Sequence, residues 1–259
     1  MKSKLVVVFD LDKTIGYFTQ IAVVLDAIEE TLGRELQLKE FYYFLDTYSY
    51  VFRGEIFKIM KYLKRKKNTN KNVRVMIYTN NMGPKSWVYK IKKYIEYKIK
   101  YKLFDRVIAA WKVGKEIYEP KRTTHNKTYK DLLRCSRLTT NDKILFLDDM
   151  DHEDLRRSKQ VKYLKVDEYE PKKEFNDLIS TFLKSSMTAL FSNKIKSREM
   201  LRIRLENSIK KSWYPKDKLR YQPYKGRKYY NEVRRFLESY NKNTKRKRSS
   251  RTKTKKIRF

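Results

Sequence analysis

The sequence predicts an α/β fold, a doubly wound parallel sheet, on three observations. Short apolar runs rich in β-branched residues alternate with longer segments whose apolar residues recur at helical spacing. Leu5–Phe9, the first of these runs, is apolar throughout rather than at every second residue, as suits a strand buried on both faces. Three of the runs stop at polar clusters, Asp10/Asp12/Thr14, Thr79/Asn80/Asn81 and Asp148/Asp149/Asp151. Parallel strands joined by right-handed crossovers bring those three ends to one edge of the sheet, where ligands of open α/β sheets bind.

In chain order, Leu5–Phe9 reads as a central strand, and two carboxylates follow at once. Carboxylates end a buried strand only where a cation or a hydrogen-bonded turn offsets their desolvation. Residues 18–32 place Ile21, Val24, Leu25, Ile28 and Leu32 on one helical face, and Gly33 is a natural stop. A second helix is expected over 38–50, which is rich in Phe and Tyr. Beyond Gly54, the residues Ile56, Ile59, Met60 and Leu63 mark an amphipathic helix. It runs into Lys64-Arg65-Lys66-Lys67, cations that suit a helix C-terminus. Val73–Tyr78 is the second strand, and Gly83-Pro84 opens a long helix over 85–101. A third strand is expected over 104–111, a polar loop over 112–125 and a helix near 127–135. Residues 143–147 are the fourth strand, 163–166 a fifth, and 174–183 a closing helix.

Charge divides the chain unevenly. The net charge is +34, and residues 184–259 hold 26 of the 64 Lys/Arg but only 5 of the 30 Asp/Glu. The expected organisation is therefore one domain over 1–183, with a small helical insertion at about 17–52. A basic, helical extension over 184–240 and a disordered basic tail over 241–259 follow it. Such a field favours anionic partners, so nucleic acid bound through 184–259 is one expectation. The tyrosines and Trp213 of 213–230 interleave with Lys and Arg, as stacking platforms do, and would equally pack a small helical extension. One cysteine, Cys135, excludes an internal disulfide and a cysteine-rich zinc site, and two histidines are too few for a His-based metal cluster. No apolar run approaches membrane-spanning length, so no membrane partner and a soluble, intracellular protein are expected.

Asp10-Leu11-Asp12-Lys13-Thr14 matches the D-x-D-x-T signature of haloacid-dehalogenase-superfamily phosphatases. Within that superfamily the chain most resembles the RNA-polymerase C-terminal-domain phosphatases and the NLI-interacting-factor-like phosphatases, over roughly residues 3–183. The resemblance implies that Asp10 is a nucleophile forming an aspartyl-phosphate and that Asp12 protonates the leaving alcohol and later activates water. It implies Mg²⁺ held by Asp10 and Asp148, with the Asp12 carbonyl oxygen and with Asp149 as a further ligand or as a group behind the ligands. A cation is needed because an unaided carboxylate is repelled by a phosphate dianion. Thr79, helped by Asn80, would hydrogen-bond the phosphoryl group.

The family also needs a lysine beside the phosphate. Lys121, Lys127 and Lys130 all precede the fourth strand. Tyr129-Lys130-Asp131-Leu132 resembles the Lys-Asp-Leu string of the C-terminal-domain phosphatases, which favours Lys130. A helix N-terminus facing the strand ends would instead favour Lys127. Lys13 stands where related phosphatases often carry an acid, which suggests a more anionic substrate. His152 reads as an ordinary loop residue. The implied substrate is phosphoserine or phosphothreonine in protein, reached through a site with only a small cap. The alternatives are removal of a phosphate from a nucleic-acid end and an inactive scaffold that binds nucleic acid.

Overall fold

The computed structural model describes residues 3–212 and 229–239. It is an α/β structure whose five parallel strands are flanked by helices on both faces, a Rossmann-like arrangement. In chain order the elements are β1 (Leu5–Phe9), α1 (Thr19–Leu32), α2 (Leu38–Thr47), α3 (Ile56–Thr69), β2 (Val73–Tyr78), α4 (Lys85–Ile99) and β3 (Arg106–Ile108). A two-residue hairpin, β4 (Lys112–Val113) and β5 (Glu116–Ile117), precedes α5 (Tyr129–Ser136), β6 (Lys143–Asp148), α6 (Glu153–Arg157) and β7 (Val161–Lys165). The chain continues with α7 (Phe175–Leu183), α8 (Arg198–Ser212) and α9 (229–239). Short 3₁₀ turns lie at Ser49–Val51 and Ser186–Phe191.

The sheet order is β3-β2-β1-β6-β7, all parallel. Strand β1 is central and buries all five side chains, each burial stabilising the fold by about 1.5–3 kcal/mol. Its pleat divides the core. Val6 and Val8 face α5 and α6 through Leu132, Cys135 and Leu155. Leu5, Val7 and Phe9 face the larger cluster, which holds α1, α2, α3, α4 and α7. The chain moves outward from β1 to β3, returns across the sheet and continues at β6, so the order reverses between β1 and β6. That crevice is the topological switch point, where ligands of such sheets bind.

Most elements form where residue patterning places them, and their ends have local causes. Gly33 closes α1 with φ +74°, its N–H bonding Glu29 and Glu30 carbonyls. Glu40 accepts from the Gln37 N–H at 2.7 Å and caps α2. Thr128 caps α5, its Oγ1 accepting from the Asp131 N–H at 3.1 Å.

Three differences from expectation have physical causes. The third strand shrinks to three residues, because only Arg106–Ile108 finds a partner, Met76–Tyr78 of β2. The five-residue helix α6 carries too short a pattern to be read from sequence. The basic extension is not a separate appendage: Leu201, Leu205 and Ile209 of α8 and Val233, Phe236 and Leu237 of α9 join the main core, with α8 against α1. Apolar residues at i, i+4 and i+8 supply that contact despite the surrounding charge. Residues 213–228 and the expected disordered tail over 241–259 lie outside the described residues. Among the described residues no helix is long and apolar enough to cross a membrane.

Candidate active site

The register of the sheet assembles the site. Phe9 pairs with Leu147, so the next residues, Asp10 and Asp148, leave adjacent strands side by side at the switch point. Main-chain bonds hold both ends, from Asp10 N–H to Leu147 at 2.9 Å and from Val166 N–H to Asp148 at 2.8 Å. Asp10, Asp148 and Asp149 are buried, and one carboxylate oxygen from each lies within 4.8 Å of the others.

The chain after β1 curls back at once. Ile15 and Gly16 N–H groups reach the Leu11 carbonyl, and Lys13 takes φ +57°. A Cβ on Gly16 would stand 2.6 Å from the Val51 carbonyl oxygen, so only glycine fits this crossing. Thr14 ties the two acidic loops together: its Oγ1 donates to Asp149 Oδ1 at 3.0 Å and accepts from Asp149 N–H at 3.1 Å. Asp12, half-buried, accepts from Asn81 Nδ2 at 2.7 Å. Thr79, buried at the end of β2, accepts from the Asn81 N–H at 3.0 Å.

Lys127, not Lys130, is the lysine at the aspartates. Its Nζ lies 2.5 Å from Asp10 Oδ1 and 2.7 Å from Asp148 Oδ2, with its side chain 2% exposed. Lys130 is exposed on the first turn of α5. Because the helix begins at the Thr128 cap, Lys127 precedes it in extended chain and reaches inward. Two buried groups fix that loop. Arg122 donates to the carbonyls of Ala109 (2.8 Å), Thr79 (3.2 Å) and His125 (2.9 Å), and Asp131 accepts from the Thr123 N–H and Oγ1, both at 3.0 Å.

Other expected residues also find different work. Asn80 is exposed and its Oδ1 accepts from Arg122 Nη2 at 2.8 Å, so Asn81 is the amide at the site. Lys13 pairs with Glu168 at 3.1 Å and Glu170 at 3.3 Å. The Asp12 carboxylate lies outside the triad, and the expectation for that residue at the metal concerns its carbonyl oxygen instead. His152, read as incidental, brings Nε2 within 3.3 Å of Asp148 Oδ2.

Electrostatics follow from burial. Desolvation, with Asp148 adding to it, holds the Asp10 carboxyl well above the usual carboxylate range although Lys127 pulls the other way. Burial pushes Asp12 up to about 6 against the Asn81 hydrogen bond. Asp149 is raised by burial and by Asp148. At Asp148 burial works upward, but Lys127 and His152 outweigh it and the net direction is down. For Lys127 the two carboxylates outweigh desolvation, and its proton is held more tightly than usual.

One ammonium faces three buried carboxyls and the half-buried Asp12, so with all four ionised the cluster would hold more negative charge than Lys127 matches. Buried anions in that excess call for a further cation, and an all-oxygen donor set suits a hard divalent ion, Mg²⁺, Mn²⁺ or Ca²⁺ alike. Asp10, Asp148 and Asp149 would hold it.

Arg53 braces the loop from behind. It is 4% exposed, and donates to the Thr14 carbonyl at 2.7 Å, to Lys13 at 2.5 Å and to Asp167 at 2.7 Å, flanked by the Tyr169 and Tyr229 rings. Arg53→Met removes the donors and keeps much of the volume. It is expected to cost about 3 kcal/mol in urea unfolding, through carbonyls left without partners. Wild-type stability in that variant would show that the brace carries no weight.

No protein-family model, curated protein or solved structure matches the chain.

Proposed function

We propose that the chain is a Mg²⁺-dependent phosphomonoesterase of the haloacid-dehalogenase kind, acting through an aspartyl-phosphate. Its substrate is phosphoserine or phosphothreonine in a protein segment. The observation that carries the reading is the convergence of Asp10, Asp148 and Asp149 around Lys127 at the switch point, with Asp12 two residues beyond Asp10.

An Asp10 carboxylate oxygen attacks phosphorus as the bond to the leaving oxygen breaks, and Asp12 gives its proton to that oxygen. Asp12 then takes a proton from water, whose oxygen attacks phosphorus and frees Asp10 and inorganic phosphate. Asn81 orients Asp12 through the 2.7 Å hydrogen bond. The Thr79 hydroxyl accepts from Asn81 N–H, which leaves its proton for a phosphoryl oxygen. Lys127 holds positive charge beside Asp10 and offsets the charge gathering on the phosphoryl oxygens. Bound Mg²⁺ would supply the charge neutralisation that lets an anionic nucleophile approach an anionic ester.

A second reading, removal of phosphate from a nucleic-acid end, is favoured by the net charge of +34. Both readings are enzymatic, and one experiment tests them against a scaffold. Purified full-length protein is expected to release phosphate from p-nitrophenyl phosphate with Mg²⁺, to stop on chelation and to recover when Mg²⁺ is restored. Protein that is folded but inert with Mg²⁺ or Mn²⁺ overturns the enzymatic reading.

A further inference from the structure

Residues of α1 and of the start of α4 line a groove of about 340 Å³. Its inner end is the hydrogen-bonded pair Asp12 and Asn81, so it opens directly onto the site. Its apolar lining includes Ala22 and Val23 of α1, Pro84 just before α4 and Trp87 in the first turn of α4. Positions 19, 22, 26 and 29 recur at helical spacing, so Asp26 and Glu29 continue the same stripe of α1 outward. Glu35 stands at the far end with Lys90, 3.0 Å apart. Glu29 accepts from the Leu36 N–H at 2.8 Å. Asp26 makes no ion pair among the described residues.

The charge of this groove is inverted against that of the molecule. Asp12, Asp26, Glu29 and Glu35 line it with one cation, Lys90, in a chain whose net charge is +34. A polynucleotide leaving group would set its phosphates along that acidic wall, where like charges repel. An apolar lining ending in unmatched acid instead complements an apolar side chain followed by a cation. The distance fits a peptide. From Thr19 to Asp26 and Glu29 the helix rises about 10–15 Å, the span of about three to four extended residues.

We propose, resting on the phosphatase reading, that this groove receives the leaving-group side of an extended phosphopeptide. An apolar residue lies beside the phosphorylated hydroxyl, and a lysine or arginine about three to four residues away meets Asp26 and Glu29. The groove therefore selects among phosphoproteins by charge, and the rest of the basic surface does not.

The test compares phosphoserine peptides that differ only in Arg or Glu at about the fourth residue on either side of the phosphate, with full-length protein and Mg²⁺. The readout is the ratio of kcat/KM values within each protein. Wild type is expected to favour the Arg peptide by about fivefold or more, and Asp26→Lys to lower that ratio by a similar factor. Equal rates for the two peptides, a ratio unmoved by Asp26→Lys, or a preference for a 3′-phosphorylated oligonucleotide over both peptides overturns the assignment. If p-nitrophenyl phosphate turns over while the peptide ratio is flat, the groove assignment fails and the phosphatase reading stands. If no phosphoester turns over, fluorescence anisotropy of a labelled Arg peptide decides the groove alone. Weaker binding to Asp26→Lys supports it, and equal binding overturns it.

Discussion

Asp10→Asn is expected to abolish phosphate release, by about 10⁴-fold or more, while the protein stays folded. The amide keeps the shape of the side chain but cannot attack phosphorus as an anion. Folding survives for a specific reason. Burial and the neighbouring Asp148 make ionised Asp10 costly, as the raised proton affinity of its carboxyl shows. A neutral amide relieves that cost, and its oxygen still accepts from Lys127, which remains paired with Asp148 at 2.7 Å. A thermal midpoint at or above that of wild type, together with loss of turnover from p-nitrophenyl phosphate, is the expected pair of results. Wild-type turnover in Asp10→Asn removes the nucleophile from the mechanism. Loss of folding would mean that Asp10 is needed as a charge rather than as a reactant.

The sequence-based expectations divide according to how local their causes are. Strands β1 and β6 were legible because each carries an unbroken apolar run that ends in an aspartate nothing nearby neutralises, and β2 because only Arg74 interrupts its apolar residues. That pattern placed Asp10, Asp148 and Asp149 together, and the register of β1 on β6 brings them there. The lysine was not legible in the same way. Lys127 and Lys130 differ by three positions, and the choice turns on where α5 begins and on a loop that Arg122 pins to Thr79 and Ala109. Those contacts join segments far apart in the chain, so no local motif reports them. Asn80 and Asn81 illustrate the same point, since Arg122 claims the first and leaves the second for Asp12. His152 carried one signal, its place four residues after Asp148. The packing of α8 on α1 was hidden because Leu201, Leu205 and Ile209 sit in a segment dominated by charge.

Lys127→Met is expected to show that one side chain serves both stability and chemistry, in opposite relation to the metal. The ammonium lies between Asp10 and Asp148, and methionine keeps the length of the chain without the charge. Breaking a buried pair while leaving its partners costs about 3–5 kcal/mol. A large fall in thermal midpoint without divalent ion is therefore expected. A cation that binds the native site stabilises it by RT ln(1 + [L]/Kd), and the carboxylates of the variant have no competing ammonium. Mg²⁺ is thus expected to raise the midpoint of Lys127→Met by more than it raises that of wild type. Turnover is nevertheless expected to fall by about 10²–10³-fold even at saturating Mg²⁺, because the phosphoryl oxygens lose a fixed positive neighbour. Lys130→Met provides the contrast, since that side chain is exposed and its loss is expected to stay within about 0.5 kcal/mol. A scanning-fluorimetry titration with Mg²⁺, run on all three proteins beside p-nitrophenyl phosphate kinetics, reads both effects. Equal Mg²⁺ responses in Lys127→Met and wild type would mean that the ion does not share the site of the ammonium. A loss of turnover in Lys130→Met, with Lys127→Met unaffected, would return the phosphate-binding role to Lys130.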